Sequence, residues 1–139
     1  MKDCMYPNAK WPEKVGKYPA VTKSGGGYFY DEVLEYRVWC HPEAGSPDLH
    51  NGDDYYNAFI SYDEAIEFSG NTNGAESPIV LVLQREHINE PKKGVFEWKK
   101  EERITEWMVE WLENKRSDDS ISTFLKGKMK RKKKFLGLF

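Results

Sequence analysis

Residues 79–83 read Ile-Val-Leu-Val-Leu, apolar at odd and even positions alike. A strand with one face in water alternates in polarity, whereas a run apolar on both parities suits a strand covered on both sides. The stretch therefore predicts a central strand with a layer on either face. Upstream of it, Asn71-Thr72-Asn73-Gly74 is rich in turn formers. Further back, Tyr55–Ile60 reads as a short strand that runs straight into Ser61-Tyr62-Asp63-Glu64. A Ser three residues before a Glu is capping-box spacing, in which hydroxyl and carboxylate each satisfy an orphan N–H at a helix start. Ala65, Ile66 and Phe68 supply the inward face of a helix of about two turns, and Gly70 suits its stop.

Residues 35–41 read Glu-Tyr-Arg-Val-Trp-Cys-His, with Tyr36, Val38 and Cys40 alternating with Arg37 and Trp39, and predict a second strand. Pro42–Asp54 holds two Pro, two Gly, three Asp and an Asn, so it reads as a surface loop of about a dozen residues. Downstream, Pro91-Lys92-Lys93-Gly94 is a turn and Val95–Trp98 opens a strand. Ile104–Trp111 fits both periods: Ile104, Trp107, Met108 and Trp111 lie at helical spacing, while Trp107, Val109 and Trp111 alternate with Glu106, Met108 and Glu110. Its aromatic and β-branched content tips the reading to strand. Ser117-Asp118-Asp119 is placed to cap a final short helix through Phe124.

Together these elements predict an α+β fold, a small mixed or antiparallel sheet of about four to six strands with two short helices. Residues 1–27 hold three of the seven prolines and close on Ser24-Gly25-Gly26-Gly27, an extended arm with a flexible joint. No GxxxxGK[ST] or GxGxxG accompanies the glycines, so they read as linker rather than phosphate loop. The domain proper spans 28–125, and 126–139 is a basic, mobile tail.

The 139 residues suit one domain, and five Trp, eight Tyr and seven Phe compensate for a hydrophobic content of only 39%. No apolar run is long enough for a membrane span, and no apolar segment follows Lys2 as a secretory signal would require. Cys4 and Cys40 make no disulfide framework, and no CxxC or HxxxH spacing offers a zinc site, so no metal is expected and a reducing cytoplasm fits best. The net charge of −2 conceals a split: residues 126–134 carry seven Lys or Arg and no acid, which leaves −9 on the remainder.

Arg37 is the most informative candidate. On a strand flanked by Tyr, Val and Trp it can clamp a phosphate or carboxylate bidentately, or lay its stem on an aromatic while its head reaches water. Adjacent strand residues face opposite ways, so His41 is poorly placed to activate the Cys40 thiol, and a buried cysteine beside a loop histidine is the simpler reading. His50 and His87 read as surface residues. Glu97, Glu101, Glu102, Glu106 and Glu110 are mostly solvated faces, with room for one to act as a base or to stabilise a cationic transition state. The tail's seven cations, interspersed with Phe124, Leu125, Phe135, Leu136, Leu138 and Phe139, suit an anionic membrane surface, a nucleic-acid backbone or the protein's own acidic body.

The block Gly26–Pro42, with Asp53-Asp54-Tyr55-Tyr56 and Glu102–Trp107, resembles a group of short bacterial proteins commonly grouped with GCN5-like acetyltransferases, over about residues 26–112. That resemblance implies acetyl-CoA as cofactor, although the Gln/Arg-x-x-Gly-x-Gly/Ala loop that would meet its pyrophosphate does not occur. The order Tyr36-Arg37, Phe59-Ile60-Ser61 ahead of Ala65-Ile66, then Glu102 or Glu106, also resembles the ADP-ribosyltransferase fold. This second resemblance implies NAD. Arg37 would bind its diphosphate, Ser61 would support the nicotinamide ribose, Tyr56 would add a cofactor contact, and Glu102 or Glu106 would be the catalytic glutamate. A transferase of this kind is the leading expectation. An acetyl-CoA-dependent enzyme is one alternative, and a noncatalytic protein that binds a partner through an acidic, aromatic surface is the other.

Overall fold

A computed structural model describes residues 6–21 and 27–135, with the side chains of the last helix described as far as Lys128. Cys4, the Ser24–Gly26 joint and the apolar residues 136–139 lie outside the described residues. The α+β class holds. Four strands form the main antiparallel sheet in the order β3-β2-β4-β7: β2 is Glu32–Cys40, β3 Tyr55–Phe59, β4 Ile79–Gln84 and β7 Arg103–Met108. The Ile79–Leu83 run sits in β4, fully buried and flanked by β2 and β7. A parallel pair, β1 (Phe29–Tyr30) with β8 (Asn114–Lys115), and a hairpin, β5 (His87–Lys92) with β6 (Val95–Lys99), complete the strands.

The sheet has two covered faces. On one, Tyr36, Val38 and Cys40 of β2 meet Val80 and Val82 of β4 and Trp107 of β7, under Ala65 of helix α1 (Tyr62–Gly70). On the other, Leu34, Leu81 and Leu83 pack against Trp11, Tyr18 and Val21 of the arm and against Ile104. The arm is irregular apart from one 3-10 turn at Pro12–Lys14, yet it forms the second layer that the apolar β4 requires.

Ser61 caps α1 as its spacing predicts: its hydroxyl accepts from the Glu64 N–H at 3.1 Å, and its own N–H donates to Glu64 at 3.2 Å. Ala65 is buried and Phe68 packs on Phe59, but Ile66 is exposed. Gly70 is the last helical residue and Asn71 follows as C-cap. The ambiguous 104–111 stretch is strand through Met108 and then a 3-10 turn at Val109–Trp111. The final helix differs most from expectation. Helix α2 runs Ser120–Phe135, so the backbone of the basic segment is helical through Phe135 instead of leaving the fold after Phe124.

Candidate functional site

Arg37 lies on β2 opposite Ala58 of β3 and Ile79 of β4, on the face that the arm covers. It neither snorkels to water nor opens on a cleft, being 0% exposed. Its Nε donates to Glu35 at 2.7 Å, its Nη1 to Glu106 at 2.8 Å and its Nη2 to the Pro19 carbonyl of the arm at 2.7 Å. The guanidinium lies over the Tyr56 ring, 4.2 Å from its centroid. Two carboxylates, a carbonyl and an aromatic face thus surround one buried cation, which is what a guanidinium needs when removed from water.

The same groups fix the arm. Glu35 also accepts the Gly16 N–H at 2.8 Å, and the Tyr56 hydroxyl donates to the Tyr18 carbonyl at 2.9 Å. Trp39 Nε1 donates to the Glu106 oxygen that Arg37 holds, at 3.2 Å. Burial raises the Tyr56 phenol above its usual range, the nearby Arg37 acting the other way. The three bonds that reach the arm are side chain to main chain, and the occupant of the cluster is an irregular segment of this protein.

Of the residues the sequence singles out, Arg37, Tyr56 and Glu106 come together. Ser61 does not join them through any hydrogen bond; its hydroxyl is engaged at the start of α1. Glu102 is exposed ahead of β7, whereas Glu106, one helical turn later in sequence but on a strand, is 5% exposed. Glu35 was not singled out, though its i, i+2 spacing from Arg37 puts both on one strand face. Gly16 and Pro19 carry no sequence signal for this role, because the arm has no periodicity.

Cys40 is buried, and burial raises its thiol pKa. His41 turns away from it to two carboxylates, with Nδ1 2.9 Å from Asp54 and Nε2 against Glu76. Those partners raise the His41 pKa, Glu76 first. The loop histidine therefore ties 41 to 54 and 76, and no nucleophile–base pair forms. His87, read as a surface residue, is instead 6% exposed, with Nδ1 3.0 Å from the Glu101 carbonyl. It escaped notice because β5 contains Glu90-Pro91-Lys92, which reads as turn.

A groove of about 490 Å³ lies where β1, the β5–β6 hairpin and α2 meet. Tyr28, Phe29, Phe96, Trp111 and Phe124 line it, together with Glu90, Glu110, Glu113 and Lys128. Tyr28 stacks on Trp111 at 4.2 Å, and Phe124 stands edge-on to Phe29 and Phe96 at 6.0 and 5.3 Å, so the aromatic wall is braced by its own rings. Three carboxylates against one cation make the groove acidic as well as aromatic. Among the described residues no cluster of His, Cys, Asp or Glu is arranged to hold a metal ion.

Comparison with known proteins returned no match to any family, curated protein or solved structure.

Proposed function

We propose that the protein is a noncatalytic protein-binding module whose acidic, aromatic groove takes a basic segment with an apolar anchor. The observation that carries this reading is the groove itself, five aromatic side chains with Glu90, Glu110 and Glu113 at the junction of three elements. Aromatic anchors supply most of the energy of such contacts, and the carboxylates select the sign of the partner's charge. A cytoplasmic setting belongs to the same proposal, since there the Cys40 thiol stays reduced. The test is titration with short peptides that place lysines either side of a leucine or phenylalanine, followed by tryptophan fluorescence. Glu110→Lys with Glu113→Lys, both exposed positions, is expected to weaken binding about tenfold or more while leaving the melting temperature in place. Equal affinity for acidic and basic peptides would sink the reading.

A second reading keeps the ADP-ribosyltransferase-type NAD site, because Arg37, Tyr56 and Glu106 do converge. For NAD to reach Arg37, the Gly16–Pro19 segment must leave it, and Ser61 and Glu102 stand outside the cluster. A rise in melting temperature with millimolar NAD, absent with acetyl-CoA, would favour it through mass action on the folded state; a rise with acetyl-CoA alone would favour the acetyltransferase.

A further inference from the structure

We infer that the face made by the β5–β6 hairpin and helix α2 docks on an anionic lipid bilayer. Helix α2 is pinned to the body at its start, where Ile121 is buried and Phe124 packs on Phe29 and Phe96. From there the backbone stays helical to Phe135, and residues 126–134 bring seven cations and no acid. At 1.5 Å per residue those charges are crowded into roughly 13 Å of helix. A run of seven cations with no acid is what an anionic surface attracts.

The hairpin beside α2 extends the same chemistry. It carries Lys92 and Lys93 at its turn and Lys99 with Lys100 at its end, four cations against the acids Glu90 and Glu97, the latter paired with Lys99, and it exposes Val95 and Trp98 at 39% and 37%. Between hairpin and helix lies a recess of about 780 Å³ walled by Val95, Phe96 and Leu125, with Lys93 and Lys128 on it against the single carboxylate of Glu90. Cations bordering exposed Val95 and Trp98 and half-buried Leu125 are what a headgroup region meets with charge and acyl chains meet with apolar contact. A single-stranded nucleic acid would use the cations but needs open aromatic faces to stack on, and Phe96 and Phe124 are already engaged with each other and with Lys128 while Lys100 lies over the Trp98 ring. The remainder of the chain, at −9, is repelled by the same surface and so orients α2 toward it.

The full-length protein is sedimented with large vesicles of phosphatidylcholine alone or with about a third phosphatidylserine, at low and high salt. Binding at least tenfold stronger to the anionic vesicles and lost at high salt is expected, as is a severalfold loss for Lys126→Glu with Lys128→Glu. Trp98→Ala is expected to weaken binding with its salt dependence unchanged. Absence of binding to anionic vesicles, equal binding to both vesicles, an unweakened charge-reversal variant, or tighter binding to duplex DNA than to anionic vesicles would each overturn the assignment. The recess shares Glu90, Phe96 and Lys128 with the peptide groove, yet the two proposals stay separable, because Lys126→Glu with Lys128→Glu is expected to weaken vesicle binding without weakening the binding of a basic peptide.

Discussion

Removing Arg37 leaves Glu35 and Glu106, both essentially unexposed, facing each other across a space without their cation. Breaking a buried charge pair from one side costs about 3–5 kcal/mol, because the surviving charge is stranded, whereas replacing all partners by apolar groups is often close to neutral. Arg37→Met is therefore expected to lower the free energy of unfolding in urea by about that amount. Combining it with Glu35→Leu and Glu106→Leu is expected to recover only part of the loss, because the Gly16 N–H, the Pro19 carbonyl and Trp39 Nε1 then lack their partners. A second prediction concerns His87. Burial, then the Arg103 cation, lowers its pKa, with Lys99 acting the same way and the Glu101 carbonyl and carboxylate opposing. A folded-state pKa below the unfolded one means that the unfolded chain takes up the proton first. Stability is then full above about pH 6.5 and falls as the pH drops below it. His87→Asn, which can still donate to the Glu101 carbonyl, should flatten that acid-side decline in urea midpoints. His41 has the opposite sign. Its raised pKa gives a contribution fully present below about pH 6.5 and lost as the pH rises through the folded-state value, and the exposure of its partners limits it to at most about 1 kcal/mol.

Strands and helices obeyed local rules where those rules were unopposed. β2, β3, β4 and β7 are legible in Tyr36-Val38-Cys40, Tyr55–Phe59, Ile79–Leu83 and Ile104–Trp107 because alternation or continuous apolarity has one physical cause, burial on one face or two. The start of α1 is legible in Ser61 and Glu64 because capping is a contact within one turn. Ser61→Ala is accordingly expected to cost about 1 kcal/mol in thermal or urea unfolding and to leave peptide binding unchanged. A loss of NAD response with unchanged stability would instead place the hydroxyl in a cofactor site. β5 was illegible because Glu90, Pro91 and Lys92 make up its second half, permissible in a two-stranded hairpin with open edges. The length of α2 was illegible because lysines give no apolar period, although lysine itself is a good helix former. Arg37 was legible as the residue to test. Glu35 could have been found by strand parity, but the Gly16 and Pro19 partners come from across the fold and leave no local trace.

The arm decides whether the sheet is one layer short. Pro7 to Val21 crosses the sheet: the Tyr36 hydroxyl donates to the Pro7 carbonyl, Ala9 N–H to Ile60 at 2.8 Å and Lys10 N–H to Val33 at 2.8 Å, before Trp11, Tyr18 and Val21 cover Leu34, Leu81 and Leu83. Apolarity on both parities of β4 called for such a layer, yet the proline-rich arm, lacking helical or strand periodicity, gave no sign of supplying it. A chain beginning at residue 22 would expose those three leucines and strip Arg37, Glu35 and Tyr56 of their main-chain partners together. Native domains hold only about 5–15 kcal/mol in reserve, and the loss of a whole covering layer with a buried ion cluster is on that order. The shortened chain is therefore expected to lose its cooperative urea transition and to bind a hydrophobic dye. Adding a peptide of residues 6–21 in excess is expected to restore the transition in a concentration-dependent way, as for any ligand of the folded state. Retention of a sharp transition without the peptide would show that β4 tolerates an open face and that the arm is a visitor to the Arg37 cluster, which would reopen that cluster as a binding site.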